Sequence, residues 1–157
     1  MTIGVYGWTL DEWLDALRAA EVRHVVDVRQ RRGVRGSEYA WANAQRLEAA
    51  LTGAGVSYEH RKELAPTTEL RQLQYHEDDR VGAGKRSRVG LAPEYVERYT
   101  REILGQVDLR AIVDALPADG SSALMCVERD PEACHRSVVA ARLRSEFGLS
   151  VTHLTSS

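Results

Sequence analysis

Short apolar runs alternate with longer amphipathic stretches along the whole chain. Residues 3–7, Ile-Gly-Val-Tyr-Gly, read as a first strand that ends in glycine. Thr9-Leu-Asp-Glu12 has the form of a capping box, in which the threonine accepts from the amide three residues on and the glutamate reaches back. Leu10, Trp13, Leu14 and Leu17 then give the apolar face of a helix. Residues 24–29, His-Val-Val-Asp-Val-Arg, form a second strand, with Val26 and Val28 on one face and Val25, Asp27 and Arg29 on the other. This β-α-β pattern implies a parallel, right-handed crossover.

Further along, Leu47, Ala50, Leu51 and Ala54 keep helical register until Gly53 and Gly55 stop it, and residues 56–60 make a third strand. Residues 62–90 are polar and read as an irregular insertion, helical over 69–75 and mobile elsewhere. Helices are predicted over 93–104 and over 108–116, the second opening at Asp108. Residues 150–154 close the chain as an edge or last inner strand. The alternation gives a single α/β domain over residues 1–157: three layers, with a mostly parallel sheet of about five strands flanked by helices.

One stretch organises the rest. The apolar run 123–127 follows the turn-forming Pro117-Ala-Asp-Gly120 and reads as a strand buried on both faces. Asp130-Pro131 supplies a cap and a first helical residue. Val139, Leu143 and Phe147 repeat at a spacing of four, and one step back along that stripe lies His135, between Cys134 and Arg136. Glu128 ends the strand that feeds this helix. In open α/β sheets, that corner is where ligands bind.

Composition narrows the class. The chain has 157 residues, 43% hydrophobic and 28% charged, with no run long enough to span a membrane and no signal-peptide pattern at its start. Two cysteines point to free thiols in a reducing compartment, so a cytoplasmic location is expected. A net charge of −2 argues against a wholly basic nucleic-acid binder but leaves local patches open.

Cys134-His135 invites a cysteine–histidine dyad, but adjacent helical residues point about 100° apart. A base for Cys134 would then come from His153 or Glu128. A helix N-terminus and a neighbouring arginine favour thiolate, whereas a small buried cysteine is the ordinary alternative. Arg136 sits where an anion is held, although Glu132, four residues upstream, is also a surface partner for it. Asp27, Arg29 and Glu128 are charges at strand ends and need partners; Asp27–Arg136 and Glu128–Arg29 are the candidate pairs. The basic loops holding Arg31, Arg32 and Arg35, and Lys85, Arg86 and Arg88, suggest phosphate contacts, with Tyr39 and Trp41 placed to stack a base. No dinucleotide or phosphate-loop glycine pattern is present. Cys126, Cys134, His135 and His153 are ligand types zinc takes, but the seven residues between the cysteines match no usual zinc spacing, and no metal or other cofactor is expected.

Three features carry a resemblance over nearly the whole chain: the strand end Asp27-Val28-Arg29, the stretch Gly55-Val56-Ser57-Tyr58, and Cys126-Val-Glu128-Arg-Asp-Pro131-Glu-Ala-Cys134-His135-Arg136. With these the chain resembles the family catalogued as domain of unknown function number 488. Leu64-Ala65 stands where a glycine often follows the leucine in that family. The resemblance implies the α/β fold and a site at these motifs, and assigns no reaction.

The expectation is a small enzyme acting on an anionic substrate, a nucleotide or nucleic acid. Arg29 and Arg136, with Tyr6 and Tyr58, would bind it. Glu128, Asp27, His135 and Cys134 would supply acid/base or thiol chemistry. The competing expectation is a non-catalytic nucleic-acid-binding module that uses the basic loops. No membrane partner is expected.

Overall fold

The computed structural model describes residues 1–84 and 86–157; Lys85, one of the basic-loop candidates, lies outside the described residues. Five strands, β1 (Thr2–Ile3), β2 (Val22–Asp27), β3 (Ser57–His60), β4 (Ser121–Met125) and β5 (His153–Leu154), form one sheet in the order β3-β2-β4-β1-β5. Every pairing is parallel. The α/β architecture read from the alternation is therefore the observed one.

Helices α1 (Leu10–Ala19) and α2 (Ala44–Gly53) cover one face, where Trp13, Leu17, Leu47 and Leu51 pack on Ile3, Val25, Ala123 and Met125. Helices α3 (Thr68–Val81), α4 (Pro93–Tyr99), α5 (Leu109–Ala115) and α6 (His135–Phe147) cover the other, packing on Val26, Val28 and Leu124. The predicted split of β2, Val26 and Val28 against Val25, is the split between these two cores. No helix among the described residues is long and apolar enough to cross a membrane.

The strand order makes the site. From β1 to β2 to β3 the chain steps toward one edge; from β3 to β4 to β5 it steps back across the sheet. The loops leaving the neighbours β2 and β4 therefore run to opposite faces, and a crevice opens between them at the C-terminal ends of the strands.

Several boundaries differ from the sequence expectation. The first strand stops at Ile3 rather than reaching residue 7, because Val5 and Tyr6 both turn their amides to the Val127 carbonyl, each at 3.0 Å. Gly4 sits so close beneath that turn that a Cβ there would stand 2.0 Å from the Glu128 carbonyl oxygen. Inside 62–90, α3 extends well past residue 75. Thr67 caps it by accepting from the Leu70 amide at 3.2 Å, and Gly82 ends it in the left-handed region. Its buried positions are Leu70, Gln74 and Asp78, a stripe that is mostly polar and so gave little hydrophobic periodicity. The helix predicted over 93–104 passes into a π-helical turn at Thr100–Leu104. The last strand is the short edge strand β5, beside β1.

The most consequential difference lies after β4. Pro131–Ala133 makes only a 3₁₀ turn, the Asp130 side chain accepts no capping hydrogen bond, and Cys134 is extended at φ −136° and ψ 140°. The α-helix begins at His135.

Candidate functional site

The loops at the C-terminal ends of the strands enclose a cleft of about 510 Å³. Tyr6 after β1, Arg29 to Arg31 and Gly33 to Arg35 after β2, Pro66 and part of α3 after β3, and Cys126 to Glu128 with Ala133 to His135 after β4 all line it.

Cys126, Glu128, Cys134 and His135 form its floor. His135 Nε2 lies 2.9 Å from the Val28 carbonyl, which can only accept, so Nε2 carries the ring proton and Nδ1 faces the two thiols. Nδ1 stands 3.9 Å from Cys126 Sγ and 4.0 Å from Cys134 Sγ. The expected 100° divergence of adjacent residues does not apply, because Cys134 is an extended cap and not a helical residue. Both thiols are buried, as the ordinary alternative for Cys134 has it.

Burial works against a Cys134 thiolate, but the Cys126 thiol, the Arg136 guanidinium and His135 together hold its pKa well below the ordinary thiol value. Cys126, which donates toward it, is pushed well above. His135 is raised: burial alone would lower it, but Cys134, the Val28 carbonyl and Glu128 outweigh that. Glu128 keeps a fifth of its side chain exposed, and its pKa is pushed up to about 7, first by burial and then by the negative charge at Cys134.

Beneath the floor lies a rigid frame. Asp27 is fully buried and accepts from Arg29 Nε at 2.9 Å, from Arg29 Nη2 at 2.8 Å and from the Tyr58 hydroxyl at 2.6 Å. Arg29 Nη1 donates to the Ala42 carbonyl at 2.9 Å. Arg136, also fully buried, donates to the carbonyls of Glu128 at 2.6 Å and Arg129 at 3.0 Å, tying the loop after β4 to the start of α6. The candidate pairs Asp27–Arg136 and Glu128–Arg29 are thus corrected. Asp27 pairs with Arg29, while Glu128 has Arg88 at 3.8 Å. The physical reason is proximity: Arg29 lies two residues beyond Asp27, just past the end of β2, and reaches back to it. Of these residues Arg29 borders the cleft, while Asp27, Tyr58 and Arg136 lie behind it.

The basic loops divide in the same way. Arg31 and Arg35 are exposed at the rim, and their side chains have no carboxylate partner among the described residues. Arg86 lies over the rings of Tyr6, at 5.0 Å, and Tyr39, at 5.5 Å, and these rings meet at a tilt of 58° with centroids 5.0 Å apart. Arg32 turns away to Glu48 at 2.7 Å. Arg88 is buried: its Nε donates to Asp78 Oδ1 at 2.9 Å, and Nη1 donates to the Ala133 carbonyl at 3.2 Å. Gln74 Nε2 donates to the same Asp78 oxygen at 2.8 Å. Arg88 thus belongs to the wall rather than to a solvated basic patch. Arg71, not singled out from sequence because one cation in a predicted helix carries no site signal, adds a cation over the cleft and donates to Gln30 Oε1 at 2.5 Å. His153, the fourth sequence candidate for zinc, pairs with Thr2 Oγ1 at 2.7 Å, away from the cleft.

Fold and cleft together define a doubly wound α/β protein whose site lies at the C-terminal edge of its sheet, where the strand order reverses. The chain belongs to the family described as domain of unknown function DUF488, whose model matches residues 9–143, and the resemblance read from the motifs is thereby established. No curated protein and no solved structure matches it.

Proposed function

We propose that the chain is an enzyme acting on an anionic, phosphate-bearing substrate of nucleotide size. One juxtaposition carries this reading: Arg31 and Arg35 from the loop after β2, Arg71 from α3 and Arg86 from a third segment come to one cleft, over a floor holding Glu128, Cys134 and His135. Cations at the rim attract and orient phosphate. Tyr6 and Tyr39 beside Arg86 offer a face on which a base stacks. Glu128 is the acid/base group of this reading, and Asp27, locked by Arg29 and Tyr58, is a positioning residue. Both cysteines are free thiols, which fits a reducing, cytoplasmic setting.

The test combines calorimetric titration with a turnover screen, using inorganic phosphate, mononucleotides and a short oligonucleotide as probes. Charge reversal of Arg31 and Arg35 should weaken binding by about tenfold or more, as expected for losing charge-assisted hydrogen bonds. Glu128→Gln should retain binding and lose turnover. Affinity that ignores the arginine changes would overturn the reading. Affinity that climbs with oligonucleotide length, without turnover, would instead favour a nucleic-acid-binding module.

A further inference from the structure

Cys126 Sγ, Cys134 Sγ and His135 Nδ1 lie within 4.8 Å of one another, and all three residues are buried. We infer that they form a binding site for a soft, zinc-class divalent metal, with the remaining coordination position facing the cleft beside Glu128.

The distances fit. Zinc bonded to sulfur at about 2.3 Å and to nitrogen at about 2.1 Å has tetrahedral edges of about 3.6 to 3.8 Å. The sulfur-to-nitrogen separations here are 3.9 and 4.0 Å, a small step from closing on a metal. The extended backbone of Cys134 creates this set, since it turns the thiol back toward the next residue's ring. The sequence spacing hid it.

The surroundings fit independently. A metal-binding histidine usually fixes its ring by donating the other N–H to a carbonyl or carboxylate. His135 does so through Nε2 to Val28, which leaves Nδ1 free toward the sulfurs. Charge balances as well. Two thiolates cancel a dication, buried Arg136 offsets Glu128, and Arg88 is matched by Asp78. Arg136 has no carboxylate partner, and its Nε has no hydrogen-bond partner among the described residues. Thiolate and imidazole ligands select zinc or cobalt over magnesium or calcium. Cys126, Cys134 and His135 all line the cleft, so a metal has a path in, and the fourth position opens where an anionic oxygen or water would sit. That last point rests on the anion reading above; the three-ligand site does not.

The experiment uses the full chain, reduced, stripped with chelator and titrated with cobalt(II). One cobalt per chain should bind, with a thiolate-to-cobalt band in the near ultraviolet and visible bands of tetrahedral intensity. Zinc should displace it. Cys126→Ser and Cys134→Ser should each remove most of the thiolate band while circular dichroism stays native. In wild-type protein, one equivalent of zinc should shield both thiols from a thiol reagent, a readout that does not depend on any variant folding. Absence of the band in reduced wild-type protein, or its persistence in either serine variant, would overturn the site. So would ready closure of a Cys126–Cys134 disulfide that zinc fails to slow. Inorganic phosphate added to the cobalt form should shift the visible bands. An unchanged spectrum would remove the open position and leave the three-ligand site standing.

Discussion

His135 Nε2 donates to the main-chain carbonyl of Val28 at 2.9 Å, joining residues 107 positions apart in sequence. The bond ties the end of β2 to the first turn of α6 and fixes which ring nitrogen faces the thiols. Tyr99 packs against the same ring at 5.5 Å. His135→Ala should therefore leave a buried carbonyl unpaired and a void beside Tyr99. Urea unfolding of the metal-free protein should show a loss of about 2–4 kcal/mol with an unchanged denaturant slope. A loss too small to measure would mean that water replaces the ring without cost.

Asp27 and Glu128 are both carboxylates at strand ends, yet they should respond oppositely to neutralisation. Asp27→Asn strands the Arg29 guanidinium in a site where both side chains are at most 1% exposed, so a loss of about 3–5 kcal/mol is expected. Glu128→Gln leaves Arg88 its closer partner Asp78 and removes a group held at a cost by burial. Its stability should be unchanged or higher, as for a residue kept for function. Thermal unfolding of the two variants beside wild type decides it. A comparable loss in both would make Glu128 part of the frame.

Gly4 has no freedom to accept a side chain. A Cβ would meet the Glu128 carbonyl oxygen at 2.0 Å and its carbon at 2.9 Å, both main-chain atoms that cannot rotate away. Gly4→Ala should push the loop after β4 off β1 and cost about 3 kcal/mol in chemical unfolding. A near-neutral result would show that this loop shifts freely over the first strand.

Much of the fold was legible because apolar side chains report burial. The β2 alternation separated the two cores, and the Thr9–Glu12 capping box is present in both directions. The site was legible as a place, since Glu128, Cys134 and His135 do meet the segment after β2. Its inner wiring was not. Arg29 and Arg136 spend their donors on Asp27 and on main-chain carbonyls, and a charge pattern does not tell a frame arginine from a binding one. The wall built by Gln74, Asp78 and Arg88 was hidden because a buried polar stripe has no hydrophobic period. The 3₁₀ turn before α6 was hidden too, because Asp-Pro opens an α-helix equally well.

Tyr58 offers a test of the frame through pH. Its hydroxyl donates to Asp27 Oδ2 at 2.6 Å, and burial, followed by that carboxylate, pushes its pKa up to about 12 from an ordinary 10.0. The folded state therefore holds this proton more tightly than the unfolded chain does. The stability this contributes is fully present below pH 10.0 and is lost as pH rises toward about 12. Two pK units correspond to about 2.7 kcal/mol, but Tyr58 is only half-buried and solvent screens part of the effect, so about 1 kcal/mol is the expected size. Tyr58→Phe should be less stable than wild type near neutral pH, since Asp27 loses a donor. The gap between the two proteins should then narrow as pH is raised from about 10 toward about 12, across the window in which wild type gives up its extra stability. Urea midpoints measured across that range suffice. A gap that stays constant would mean that the Tyr58 proton is held no more tightly in the fold than in the unfolded chain.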